Sequence, residues 1–178
     1  MDSASFDALF DEFTHTAFRL ETLPGYAVGA EDARLWAFRQ GEPRPERSVR
    51  TSPWLRRIAM STAQGKSWSR AHLIRHPLSE YLRYELVGCV ESQAVGERIG
   101  LVDLADHPEL ERLGPDFWLF DSDTDHPRGV LMHYDEGGRL IGREHVTATA
   151  RLAAMATTKR LVEQAAIPLN VYLAAHNA

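Results

Sequence analysis

Asp116-Phe-Trp-Leu-Phe-Asp121 is the stretch whose reading decides the fold. Residues 117–120 form the strongest apolar run in the chain. The run is short, aromatic and bracketed by carboxylates, which suits a buried strand better than a helix. Gly129-Val-Leu-Met-His-Tyr-Asp135 follows, and residues 130–134 read as a second strand. Asp135-Glu136-Gly137-Gly138 supplies the left-handed positions of a tight reversal, and residues 140–146 return as a third strand. These three strands are expected at the centre of a sheet on which the rest packs. Phe117, Leu119, Val130, Met132 and Ile141 are assigned to it, with Leu82 and Leu86 packed against it. Strand alternation turns Trp118 and Phe120 to the opposite side. That side is also large and apolar, so it too requires cover, expected from the terminal helices.

Working outward, Phe6, Leu9, Phe10 and Phe13 recur at helical spacing and predict an amphipathic helix over residues 5–15. Thr16-Ala-Phe-Arg-Leu-Glu-Thr22 alternates apolar and polar residues as a short strand does. A helix follows over 31–40, then a Pro- and Arg-rich loop over 41–52. Ser52-Pro53 opens the next helix with a cap and a first-turn proline. Trp54, Leu55 and Ile58 lie on one side of it, with Arg56 and Arg57 toward the other. Residues 67–75 read as a strand with Trp68, His72 and Ile74 buried. Residues 78–96 read as a helix with Leu82, Leu86 and Cys89 on its core line. Tyr84, between Glu80 and Val87, is placed on the opposite, exposed line. Residues 98–104 read as a strand, 148–166 as an Ala-rich helix, and Pro168 restarts a short terminal helix.

The resulting fold class is α/β, with α+β as the alternative: one mixed or antiparallel sheet covered by helices. The 178 residues are expected to form a single domain. Within it, 1–43 is an N-terminal helical appendage, 52–147 the sheet core with its helices, and 148–178 the C-terminal helices. No leader-like or membrane-spanning segment is read, and the lone Cys89 allows no internal disulfide, so the expected location is the cytoplasm.

The net charge of −5 is unevenly spread. Residues 44–83 hold nine basic and two acidic side chains, so that segment is +7 and the remainder −12. Either the basic segment faces an acidic partner or nucleic acid, or the two portions attract each other inside one fold. The candidate interaction residues are Arg56, Arg57, Lys66, Arg70, Tyr81, Arg83 and Tyr84, with Trp54 and Trp68 as possible stacking surface.

Catalytic motifs are absent from the sequence. Asp121-Ser-Asp123-Thr-Asp125 begins like a calcium loop, but His126 and Met132 stand where such a loop needs Gly and Glu. His72 and His76 share a strand face at a separation of ~13 Å, too far for one metal. Asp103, Asp106 and Glu109 read as loop and helix-start residues. No cofactor, metal ligand set or nucleophile–base pair is assigned.

Several of these segments together resemble a known family. They are Thr16-Ala-Phe-Arg-Leu-Glu-Thr22 with Tyr26, Phe38 with Gly41-Glu42, and His76-Pro-Leu-Ser-Glu-Tyr-Leu-Arg-Tyr-Glu-Leu86. Gly96-Glu97-Arg98-Ile99, Asp116 to Asp121, His133-Tyr134-Asp135 and Ile167-Pro168 with Tyr172 complete the set. The chain resembles the actinobacterial domain of unknown function 6879. That resemblance implies a setting beside helix-turn-helix regulators and no mechanism. The strand–helix–strand order is also similar to half of a phospholipase D domain. Aligned on Asp121, however, Gly114 and Asp116 stand where that family has its nucleophilic His and its Lys, which implies a degenerate version. The leading expectation is therefore a non-enzymatic regulatory module acting with a helix-turn-helix transcription regulator. Direct nucleic-acid binding through residues 44–83 is the alternative, and an unrecognised hydrolase ranks third.

Overall fold

A computed structural model describes residues 1–29 and 32–176. The elements run α1 (Ser3–Glu12), β1 (Thr16–Glu21), α2 (Asp32–Arg39), α3 (Pro53–Ala63), β2 (Ser67–Ile74), α4 (Glu80–Ala94) and β3 (Glu97–Asp103). A 3₁₀ turn at Pro108–Leu110 leads to β4 (Asp116–Phe120), β5 (Arg128–Tyr134), β6 (Leu140–Val146), α5 (Thr149–Ala165), β7 (Ile167–Pro168) and α6 (Leu169–His176). Glu31, expected to begin the second helix, lies outside the described residues. The Ser52 cap read from the sequence is in place, its Oγ accepting from Leu55 N–H at 3.3 Å, and Ser79 caps α4 in the same way, its Oγ accepting from Leu82 N–H at 3.0 Å.

Among the described residues, seven strands form one mixed sheet in the order β6-β5-β4-β1-β2-β3-β7. β1, β2 and β3 are parallel, and β4, β5, β6 and β7 join antiparallel to their neighbours. Parallel neighbours need crossover connections, which α2 with α3 and then α4 provide. The β4–β6 unit is a flank of the sheet, not its centre. The middle strand is β1, so residues 1–43 contribute the sheet's axis where an appendage was expected. Ile141 sits on the outer strand β6 and is 66% exposed. Among the described residues β6 is an edge strand of the sheet.

Both faces are covered. Phe18, Leu20, Phe117, Leu119 and Leu131 share one apolar cluster with Leu152, Met155 and Val162 of α5. On the other face, Trp68, Trp118, Phe120, Val130 and Met132 pack with Leu9 and Phe10 of α1 and Ile58 of α3. Phe10 is the hub there, with ring centroids 4.8 Å from Trp118 and 5.3 Å from Phe120. The cover over Trp118 and Phe120 thus comes from α1 and α3, while the C-terminal α5 lies across the opposite face. Leu82 and Leu86 of α4 pack over β2 and β3 with Leu169 and Tyr172 of α6. Each such fully buried large side chain contributes roughly 1.5–3 kcal/mol.

Two polar devices fix the connections. Asp121, at φ 53°, ends β4 and turns its carboxylate onto the N–H groups of Thr14, His15 and Thr16 at 2.7–3.1 Å. Burial works against its charge, but those three donors outweigh it and hold the carboxyl below its usual range. Gly138, at φ 75°, lets the β5–β6 hairpin settle on the chain at residues 25–27, where Ala27 N–H donates to Gly138 O at 2.9 Å. A Cβ at position 138 would lie 2.5 Å from Gly25 O.

Candidate functional site

The basic residues do not gather into one stripe. Arg57 pairs with Asp7 at 2.7 Å and Asp11 at 3.3 Å, holding α3 to α1. Arg56 donates to the carbonyls of Val49 and Arg50. Lys66 lies over the Phe13 ring and reaches Asp11 O. Arg44 and Arg47 both bind Glu91, and Arg75 binds Glu111. Arg83 is exposed, and no partner for it is found among the described residues. Trp68 is buried with its indole N–H on Ser61 Oγ at 2.7 Å, and Trp54 packs edge-on against it, so neither offers a free stacking face.

Tyr84 is buried at 1% exposure, not displayed on an open helix face. Phe38 of α2 meets its ring edge-on at 5.5 Å, and the Arg44 guanidinium lies 4.8 Å from its centroid. The chain segment carrying Arg44 and Arg47 straps across the side of α4 that faces away from the sheet. Tyr81 stays half-buried, with its ring 5.9 Å from that of Tyr26.

Arg70 is the larger departure. It belongs to a buried ionic layer spread across four strands, on the face that carries Trp68 and Trp118. Strand alternation puts Arg19 and Glu21 of β1, Arg70 and His72 of β2, Glu97 of β3 and Asp116 of β4 on this one face. Glu85 reaches down from α4. Arg70 binds Glu21 at 2.9 Å, Glu97 at 3.0 Å and Glu85 at 3.5 Å. Arg19 binds Asp116 at 3.0 Å, and Tyr26 donates to the same Asp116 oxygen at 2.5 Å. Burial opposes the charges of Arg70 and Glu21, but their mutual attraction wins: Arg70 is held well above and Glu21 well below its ordinary range. Burial and the neighbouring carboxylates push the Tyr26 phenol far up.

His72 closes this layer. Its Nε2–H donates to Leu23 O at 2.9 Å, while Nδ1 faces Glu21 at 3.4 Å and Glu85 at 3.6 Å. A ring with oxygens at both nitrogens is satisfied only when both carry protons. Burial lowers the pKa, yet the Glu21 bond and the Glu85 charge overcome it and raise it to about 9. Glu21, His72 and Glu85 also have the spacing of a metal ligand set, within 4.8 Å of one another. Arg70 and the His72 proton already supply positive charge to those carboxylates.

Two concavities flank the strap. The first, about 390 Å³, opens over this ionic layer, where Glu21 ends β1 and Tyr134 ends β5. Its lining includes Tyr26, Trp54, Tyr81, Tyr84 and Tyr134 with Glu21, Arg70 and Glu85. Among the parallel strands only β1 brings its carboxyl end, Glu21, to this lining, while Arg70 enters from the middle of β2. The second is an apolar groove of about 1,110 Å³ between α4, α6 and residues 46–49. Val49, Val87 and Val90 remain 39%, 44% and 47% exposed there. Arg44 and Arg47 belong to the walls of both.

A family model described as "Domain of unknown function (DUF6879)" matches residues 4–174. The chain belongs to this family. No curated protein matches it at a significant level.

In this DUF6879 chain the remaining residues singled out from the sequence are structural in their contacts. Asp103 accepts from Ala105 N–H at 2.8 Å, and Glu109 pairs with His107. Asp116 is buried against Arg19, Thr22 and Tyr26. Cys89 is a buried thiol whose pKa is pushed well up by burial and by Glu85, which keeps it protonated. No helix among the described residues is long and apolar enough to cross a membrane. The ionic layer was not foreseen. Its signal is present in the polar pairs Arg19/Glu21 and Arg70/His72, each at strand spacing, but polar alternation ordinarily marks a solvent face.

Proposed function

We propose that this DUF6879 protein is a non-enzymatic interaction module of the cytoplasm, and that its partner is a helix-turn-helix transcription regulator. The observation that carries the reading is the apolar groove along α4, where three valines stay exposed beside Arg83, which has no partner among the described residues. Contiguous exposed apolar surface of this kind marks a binding surface. Direct nucleic-acid binding loses support, because Arg44, Arg47, Arg57, Arg70 and Arg75 all pair with carboxylates of the same chain. Hydrolysis loses support at two candidate groups: both His72 nitrogens are engaged, and Cys89 is held as the thiol.

The test is calorimetry against regulators encoded next to the gene. Val87→Glu with Val90→Glu changes two exposed positions, so the fold is retained. The expected result is a complex abolished by this pair and weakened by Arg83→Glu, with gel shifts of DNA by the isolated protein remaining weak and non-specific. A complex indifferent to all three substitutions, or tight sequence-specific DNA binding by the protein alone, overturns the reading.

A further inference from the structure

We propose that a cavity under α5 binds a small apolar monocarboxylate, of the size of a single-ring or short branched-chain acid. It lies on the opposite face of the sheet from α4 and does not rest on the interaction reading.

The cavity, about 280 Å³, opens between α5 and the chain at residues 112–115. Its floor is the core itself. Leu20, Phe117, Leu131 and Met155 are buried members of the apolar cluster on this face, and all four belong to the lining. On α5 the lining residues Arg151, Ala154, Met155 and Thr158 follow helical spacing along one line, and Ala154 gives that wall only a methyl group. Packed interiors leave few voids wider than a water molecule, and an apolar void holds water poorly. Such a floor favours an apolar occupant. The volume stands just below the ~300–1,000 Å³ of drug-sized sites, so the occupant is small.

Charge decides which apolar molecule enters. The lining holds two cations, Arg112 and Arg151, and no carboxylate. The cleft over the ionic layer differs, with Glu21 and Glu85 in its walls, and so does the groove, with Glu46 and Glu91. Arg151 is compensated from outside the lining by Glu144. Arg112 is exposed and has no partner among the described residues. Glu111, beside it in sequence, is taken by Arg75. One positive charge at the cavity is thus left for one negative charge on the ligand.

A carboxylate on a compact apolar body answers both features. A guanidinium grips a carboxylate through two parallel N–H···O bonds, and Thr158 adds a hydroxyl to the same lining. Inorganic phosphate has no apolar body to bury. An amine is repelled by both arginines. A neutral amide of the same shape forgoes the charge-assisted pair.

The experiment titrates the intact protein by calorimetry with benzoate and with isovalerate. Benzamide, benzylamine and inorganic phosphate serve as comparisons. One of the acids is expected to bind with a stoichiometry near one, roughly tenfold or more tighter than any comparison compound, as a hydrogen bond between charged groups allows. Arg112→Ala should remove that advantage of acid over amide, and Ala154→Phe, which fills the cavity, should abolish binding. Both positions are exposed, and thermal melts show whether each variant is folded. Should Ala154→Phe fail that check, Arg112→Ala and the comparison of benzoate with benzamide decide alone. Val87→Glu with Val90→Glu in the groove should leave binding unchanged. The proposal is overturned if neither acid binds at millimolar concentration, if any comparison compound binds as tightly as the acids, or if binding persists unchanged in the folded variants at Arg112 and Ala154.

Discussion

The Arg44 guanidinium lies against Gly88, so close that a Cβ there would stand 2.5 Å from Nη2 and 2.6 Å from Cζ. The same guanidinium covers the Tyr84 ring and binds Glu91 at 2.8 Å. One side chain thus spans positions 84, 88 and 91, a single line along α4. Through this line the 41–52 segment becomes a strap on the helix face turned away from the sheet. Gly88→Ala is expected to push Arg44 off this line, with overpacking of ~1–3 kcal/mol. Limited proteolysis should then cut within residues 41–52 faster than in the parent. An unchanged cleavage pattern and melting temperature would show that the strap is held by other contacts.

That strap explains what the sequence did and did not disclose. Leu82, Leu86 and Cys89 follow the helical repeat and are buried where the repeat places them. Tyr84 lies off that line, and only a second layer, formed by a loop rich in Pro and Arg, buries it. No local pattern announces a loop that folds back onto a helix. Strand identity was legible for the same reason as the α4 core line: alternation in residues 117–120 and 130–134 is a local property. Strand order was not. β1 reads as a modest strand, yet pairing with both β2 and β4 makes it the axis of the sheet. The ionic layer follows from that position, because Arg19 and Glu21 face a covered side.

Phe117 is 3% exposed in the cluster under α5. Phe117→Ala is expected to destabilise the protein by about 3–5 kcal/mol through lost transfer energy and the cavity left behind. A thermal melt equal to that of the parent would contradict its placement in the core.

Asp121 ties the α1–β1 turn to the end of β4 through three backbone N–H groups. Asp121→Ala strands those donors, each worth about 1–3 kcal/mol when left unsatisfied. A drop in melting temperature is expected, with earlier hydrogen exchange at residues 14–16. Since the native pKa of Asp121 is depressed, its contribution is present above the ordinary carboxylate pKa and lost as pH falls through the native value. The gap between parent and variant should therefore narrow in acid. A gap that widens in acid would rule out a charged acceptor.

His72 should leave an alkaline signature. Its folded pKa is raised to about 9 from an ordinary 6.5. Its stabilisation is fully present below the ordinary value and is lost as pH rises through the folded one. Stability of the parent is thus expected to fall between these two pH values, and His72→Gln should flatten that slope while lowering stability at neutral pH. Denaturant melts across the window measure both. Titration of His72 near neutrality by NMR would contradict the imidazolium assignment.

Arg70 is the cation on which three carboxylates converge, from β1, β3 and α4. Its side chain is only 14% exposed, so water cannot take over its role. Arg70→Ala leaves Glu21, Glu85 and Glu97 facing one another, and removing one member of a buried ion set costs about 3–5 kcal/mol. Lysine does not restore it, because an ammonium lacks the planar fork that reaches three partners in fixed directions. The deficit should depend on pH. Arg70 is the chief counter-charge that depresses the Glu21 pKa, so in the variant Glu21 holds its proton more readily. Protonation relieves the repulsion, and the deficit of Arg70→Ala is expected to shrink as pH falls from neutrality toward about pH 5. Adding Glu97→Gln to Arg70→Ala removes one of the stranded charges and should recover part of the loss at neutral pH. Chemical denaturation of the parent, the single variant and the double variant at two pH values reads all of this. A deficit that is constant with pH and indifferent to Glu97→Gln would mean that Arg70 stabilises the sheet by packing, and not as the hub of a charged layer.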